Sequence, residues 1–192
     1  MNNCYLDAEA VITFFRMTGR KHIFITGSRG SGKSHLVNNM LKYMSDSFNL
    51  LQSHRTDTPQ VVIKSNLVAD NKEFVIGIPR TSGINPVSKG NNMTIIEDGF
   101  INCAIPAIDT HLDTTPERLF VIDELGYLES SCIPFQKAVE KLLDNSHVLA
   151  VIRKQSTEFL NRICNRKDVL VIDIDSTFET LSCIIMASGM SK

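Results

Sequence analysis

Gly27-Ser28-Arg29-Gly30-Ser31-Gly32-Lys33-Ser34 sets three glycines, a lysine and a serine hydroxyl in the spacing Gly-x-x-x-x-Gly-Lys-Ser. Glycines let successive backbone N–H groups turn toward one centre, the lysine adds a full positive charge there, and the hydroxyl is a hard oxygen ligand suited to Mg²⁺. That is chemistry for gripping a polyphosphate anion, with Gly27, Ser28, Arg29, Gly30, Ser31, Gly32, Lys33, Ser34 and the adjoining His35 as its contact set. A second segment, Leu119-Phe120-Val121-Ile122-Asp123-Glu124, delivers two carboxylates directly after four apolar residues. Asp123 is suited to hold a magnesium ion, directly or through its water shell. Glu124, projecting differently, is suited to accept a hydrogen bond from an attacking water and aim it at the terminal phosphorus. Charge that develops on the transferred group calls for a cation beyond Lys33. Arg153, which ends the apolar run 148–152 and precedes Lys154, is the leading candidate, Arg29 is the second, and Arg80, Arg162 and Arg166 are weaker claims.

These residues need elements to hold them. An apolar run at 22–26 ends in the glycine-rich loop, and a helical pattern follows to residue 44, with Leu36, Val37, Met40 and Leu41 on one face. Strand, loop and helix in that order are what the phosphate grip requires. Ahead of them, residues 7–18 carry amphipathic helical spacing that stops before Gly19. Runs at 61–68 and 73–78, joined by the polar 69–72, predict an antiparallel hairpin. Residues 81–92, rich in Ser, Gly, Asn and Pro, read as a loop able to reach the ligand, followed by a short strand at 93–96. Residues 100–111 read as helix, kinked or split by Pro106. From Leu119 onward the pattern alternates: strand 119–123, helix 134–143, strand 148–152, helix 156–165, strand 169–174 and a final helix 176–187. Such alternation implies a mostly parallel sheet covered on both faces, with ligands at the carboxyl ends of its strands.

At 192 residues the chain suits one domain, 1–192, with 1–20 as an N-terminal helical extension. It has 43% hydrophobic residues, 21% charged residues and a formal net charge of -1, so no basic field draws it to nucleic acid, and none is expected as a partner. No apolar run approaches the length of a bilayer span, and no basic start and apolar core mark a secretory leader. The expectation is a cytoplasmic monomer without membrane contact. Five scattered cysteines, with no Cys-x-x-Cys pair, argue for reduced, packed thiols rather than zinc or disulfides.

Three segments resemble a known family, the small stand-alone phosphate-loop nucleoside-triphosphatases of thermophilic microbes and their human cancer-related relative. They are the loop Gly27 to Ser34, the hairpin 61–78, and Val121-Ile122-Asp123-Glu124-Leu125-Gly126-Tyr127-Leu128-Glu129, which is similar to the family's Asp-Glu-Ile-Gly-Lys-Met-Glu signature. Tyr127 stands where the family usually has Lys, and Glu129 matches the signature's last acid. The resemblance implies a three-layer α/β/α fold with a mostly parallel central sheet and an inserted antiparallel β-hairpin. It also implies slow, Mg²⁺-dependent hydrolysis of ATP, GTP and other triphosphates. Two other function classes fit the same residues: a kinase, in which a small-molecule or nucleotide hydroxyl replaces water, and a nucleotide-controlled switch or accessory protein.

Overall fold

Valine, isoleucine, leucine and phenylalanine fill the strands that the alternation predicts, and strands so apolar need cover on both faces. The computed structural model, which describes residues 7–44, 47–80 and 93–176, supplies that cover. Along the chain run α1 (Ala8–Met17), β1 (His22–Gly27), α2 (Lys33–Met44), β2 (Phe48–Arg55), β3 (Val61–Ser65), β4 (Phe74–Pro79), β5 (Met93–Ile95), α3 (Glu97–Gly99), α4 (Ile105–Thr114), β6 (Leu119–Leu125), α5 (Ile133–Asn145), β7 (His147–Arg153), α6 (Glu158–Cys164) and β8 (Val169–Asp173). The strands form one eight-stranded sheet in the order β5-β4-β3-β2-β6-β7-β1-β8. From β2 to β8 every neighbour is parallel, while β3, β4 and β5 extend the sheet from β2 in antiparallel steps.

Successive residues of β1 point to opposite faces and seed two cores. Phe24 joins Phe100, Phe120 and Phe135 on one side, while Ile23 and Ile25 join Val11, Ile12, Val37 and Met40 on the other. The first core lies under α4, α5 and α6, the second under α1 and α2, giving three layers. α1 starts where the Asp7 side chain accepts the Glu9 N–H, and its buried Val11 and Ile12 place the helix on the same layer as α2.

Most predicted elements stand within a residue or two of their expected ends. The hairpin is formed by β3 and β4 in antiparallel register, with a short 3-10 turn at Ala69–Asn71 between them. The region around Pro106 is split as expected: a π-helical turn, Phe100–Ala104, separates α3 from α4, and Pro106 falls in the first turn of α4, where a missing N–H is tolerated. β2 was not predicted, and it inserts between the hairpin and β6. The expected loop 81–92 and most of the expected helix 176–187 lie outside the described residues. Among the described residues, no helix is long and apolar enough to cross a membrane.

Candidate functional site

β1 leaves the core at Gly27, and the chain wraps into α2, whose first intrahelical bond runs from the Leu36 N–H to the Gly32 carbonyl at 2.9 Å. Gly30 and Gly32 sit at φ 77° and 94°, a left-handed backbone that a side chain would strain. That turn is what lets the loop's N–H groups face inward at the positive end of a helix. Lys33 folds back over the loop and donates to the carbonyls of Gly27 at 3.0 Å and Ser28 at 2.7 Å. The ammonium therefore spans the loop mouth.

Two sheet positions away, β6 brings its acids to the same edge. Its register with β7 shifts between Asp123 and Leu125, so Glu124 opposes no β7 residue and turns away from the regular alternation. Asp123 is half-buried, and burial, with the Glu124 charge beside it, pushes its pKa up. The Gln52 and Ser34 side chains and the Lys33 charge pull it back. Asp123 thus faces Ser34 directly, an oxygen pair at the base of the loop. Glu124 accepts a hydrogen bond from Arg153 Nε, an ion pair across the β6 and β7 ends. The neighbouring Lys154 reaches the other way, to Asp173 at 2.8 Å and Asp175 at 3.1 Å. Asp175 in turn accepts the Ser28 N–H at 2.7 Å and its hydroxyl at 3.0 Å, tethering the shoulder of the loop to the end of β8.

The loop and the Glu124–Arg153 pair open on a cavity of about 810 Å³. Its walls include Ser28, Arg29, Lys33, Ser34, Glu124 and Arg153, with His35 at one side. A sheet edge with a phosphate-type loop, a lysine, an oxygen pair and an acid–arginine pair can hold a polyphosphate and act on its terminal group. A family model described as NTPase matches residues 22–179. The chain belongs to the NTPase family. The nucleoside-triphosphatase THEP1 of Thermotoga sp. strain RQ2 is 26% identical over 155 residues, covering 80% of this chain and 86% of that protein. The same-named protein of Thermotoga maritima is 23% identical over 154 residues, with the same coverage. Among solved structures, THEP1 from Aquifex aeolicus matches with a TM-score of 0.63 over 86% of this chain and 98% of that one, at 17% identity. A human cancer-related nucleoside triphosphatase matches with a TM-score of 0.60 over 90% and 99%, at 19% identity. At those identities the likeness is one of fold.

Within this NTPase-family chain, the cavity gathers Arg29, Lys33, Ser34, Glu124 and Arg153, and Asp123 stands directly behind Ser34. Arg162 and Arg166 are not brought to it: Arg162 pairs with Glu140, and Arg166 pairs with Asp144 and Asp168. Arg80 ends beyond β4, within electrostatic reach of Tyr127. Sequence reasoning missed a whole wall, Ser53, His54, Arg55 and Val61, supplied by β2 and the start of β3. His54 is pinned there by Glu73 at 3.1 Å. The signal was present in Phe48-Asn49-Leu50-Leu51-Gln52-Ser53-His54-Arg55, which runs from apolar to polar as β6 and β7 do. Its apolar stretch is shorter, and Asn49 interrupts it.

Proposed function

We propose that this protein removes the γ-phosphate of nucleoside triphosphates, ATP and GTP among them, in a Mg²⁺-dependent hydrolysis. One observation carries the reading: Lys33 and Ser34 of the loop share a single cavity with the Glu124–Arg153 pair, and Asp123 backs Ser34. Ser34 and Asp123 form an oxygen-only pair of the kind a hard cation takes when phosphate oxygens and water complete its shell, so these two would hold the metal. When bound, Mg²⁺ neutralises charge shared by the β- and γ-phosphates. The protein's own residues do the rest. Loop N–H groups and Lys33 grip the phosphates, Glu124 orients a water in line with the bond to be broken, and Arg153 offsets charge that develops on the γ-oxygens. The loop grips the part that all nucleotides share, so broad use of NTPs and dNTPs is expected.

Phosphate release from the eight common NTPs and dNTPs, with product analysis, tests this reading. Glu124→Gln is expected to bind nucleotide as the parent does and to hydrolyse it about 100-fold more slowly. Equal rates would remove Glu124 from the mechanism. The wall of His54 and Arg55 favours a second reading, phosphoryl transfer to a small acceptor, in which ATP turnover alone is slight and rises steeply when the acceptor is added.

A further inference from the structure

Glu129 is a carboxyl group with 4% of its surface exposed, and the mechanism above gives it nothing to do. Burial pushes its pKa up to about 7, the Glu124 charge pushes the same way, and the Arg153 charge opposes both. Tyr127 also lies within its electrostatic reach. A buried acid is a costly way to complete a turn, since an amide would accept the same hydrogen bond without the desolvation penalty. Glu129 Oε2 accepts the Gly126 N–H at 2.8 Å, and the Ser130 hydroxyl donates to the Gly126 carbonyl at 2.8 Å. Both backbone polar groups of one residue are therefore clamped, two residues after Glu124. The same Ser130 hydroxyl meets Thr157 Oγ1 at 2.8 Å, and Thr157 caps α6 by accepting the Leu160 N–H. The clamp is thus tied to the segment that follows β7.

Gly126 matters because of what lies on it. A Cβ built there would come within 2.8 Å of Arg153 Cδ and 3.4 Å of Arg153 Nε. The arginine stem rests on the bare backbone of the clamped turn, and from that rest its Nε donates to Glu124 Oε1. We propose that Glu129 is a positioning residue of the hydrolytic site: its side-chain oxygen holds the Gly126 turn, the turn seats Arg153, and Arg153 in turn sets how the Glu124 carboxylate faces the cavity. This rests on the hydrolytic reading of Glu124 and Arg153 given above.

The test is a double-mutant cycle on Mg-ATP hydrolysis with full-length protein, with nucleotide affinity and thermal unfolding measured for each variant. Glu129→Leu is expected to lower kcat about 30-fold while KM and nucleotide affinity stay within about threefold. Glu129→Gln, which still accepts the Gly126 N–H, should recover kcat to within about threefold of the parent. Gly126→Ala, which leaves Glu129 intact but displaces the arginine, should lower kcat about as much as Glu129→Leu, and it keeps the proposal exposed should Glu129→Leu fail to fold. Adding Glu129→Leu to Arg153→Ala should cost less than about threefold more, because the two act through one contact. The proposal is overturned if Glu129→Leu keeps the parent kcat, if Glu129→Gln is as slow as Glu129→Leu, or if the Glu129 and Arg153 effects multiply in full. A parent-like Arg153→Ala would sink the underlying reading of Arg153, and this proposal with it. A slow Arg153→Ala beside an unimpaired Glu129→Leu and Gly126→Ala would sink this proposal alone.

Discussion

The two ends of the parallel strands handle polar side chains in opposite ways. At the amino end, His111 is fully buried and closed on both sides: Asn49 Nδ2 meets its Nδ1 at 2.8 Å, and Ser146 Oγ meets its Nε2 at 2.6 Å. Asn49 also donates to Thr115 Oγ1, and the Ser146 hydroxyl donates to the Pro116 carbonyl, each at 2.8 Å. These bonds join the starts of β2, β6 and β7 to α4 and the end of α5. At the carboxyl end, Lys33, Glu124 and Arg153 have partners as well, but they face a cavity of about 810 Å³ instead of one another's backs. Burial of polar groups therefore does not mark the functional end of this sheet. Convergence of opposite charges on open space does, because only groups that a ligand can reach are able to exchange their internal partners for it.

If that contrast is right, substitutions at one end should change rate without stability, and at the other stability without rate. The largest effect is expected for Lys33→Ala, which should slow Mg-ATP hydrolysis by a factor on the order of 1,000 while the unfolding midpoint in urea stays with the parent. A large loss of stability in that variant would break the contrast. Next, His111→Ala should cost about 3 kcal/mol in urea unfolding, from a cavity and from the unpaired Asn49 and Ser146 groups, with kcat of the folded protein unchanged.

A pH series places one titrating group at each end. Glu129 has its pKa raised from 4.5 to about 7, so its contribution to stability is complete below pH 4.5 and is lost as pH rises through 7. His22, fully buried at the start of β1 with Asp168 3.4 Å from its Nε2, has its pKa lowered from 6.5 to about 4, chiefly by burial. Its contribution is complete above pH 6.5 and is lost as pH falls through 4. The two run in opposite senses and offset each other in the parent between pH 4.5 and 6.5. In Glu129→Gln the histidine should act alone, and stability should fall by about 3 kcal/mol as pH drops from 6.5 to 4. A flat profile in that variant would remove His22 as the acid-sensitive group. The smallest effect is expected for Asp175→Ala, which frees the Ser28 shoulder of the loop and should raise KM about fivefold with kcat nearly constant.

Legibility in the sequence followed the strength of the local signal. β1, β6 and β7 announced themselves because strands buried on both faces must be apolar throughout, β8 because its run is apolar even though Val171 is exposed, and α5 and α6 because one stripe of each meets a core. β2 did not, for it carries Asn49, Gln52, Ser53, His54 and Arg55 within one strand. Three of those polar residues are accounted for by contacts distant in sequence: Asn49 by His111 and Thr115, Gln52 by Asp123 and His54 by Glu73. The candidate site divides in the same way. Lys33, Ser34, Asp123 and Glu124 were readable from motif spacing. Asp175, bonded to Ser28 across 147 positions of sequence, had no local signature, and Glu129 had one without a role.

By itself the sequence determined that a strand ends in a phosphate-gripping loop and continues as a helix, and that a second apolar strand ends in two acids. Both are local matters of residue type and backbone permission. Only the tertiary structure decided that β7 lies between those strands, which carries Arg153 to Glu124 and lays its stem on Gly126. It also decided that β2 closes the far wall of the cavity and that a buried glutamate clamps the turn beneath the arginine. Those choices depend on which strands become neighbours, and strand order follows from packing two apolar faces of the whole sheet at once, a condition that no single segment expresses.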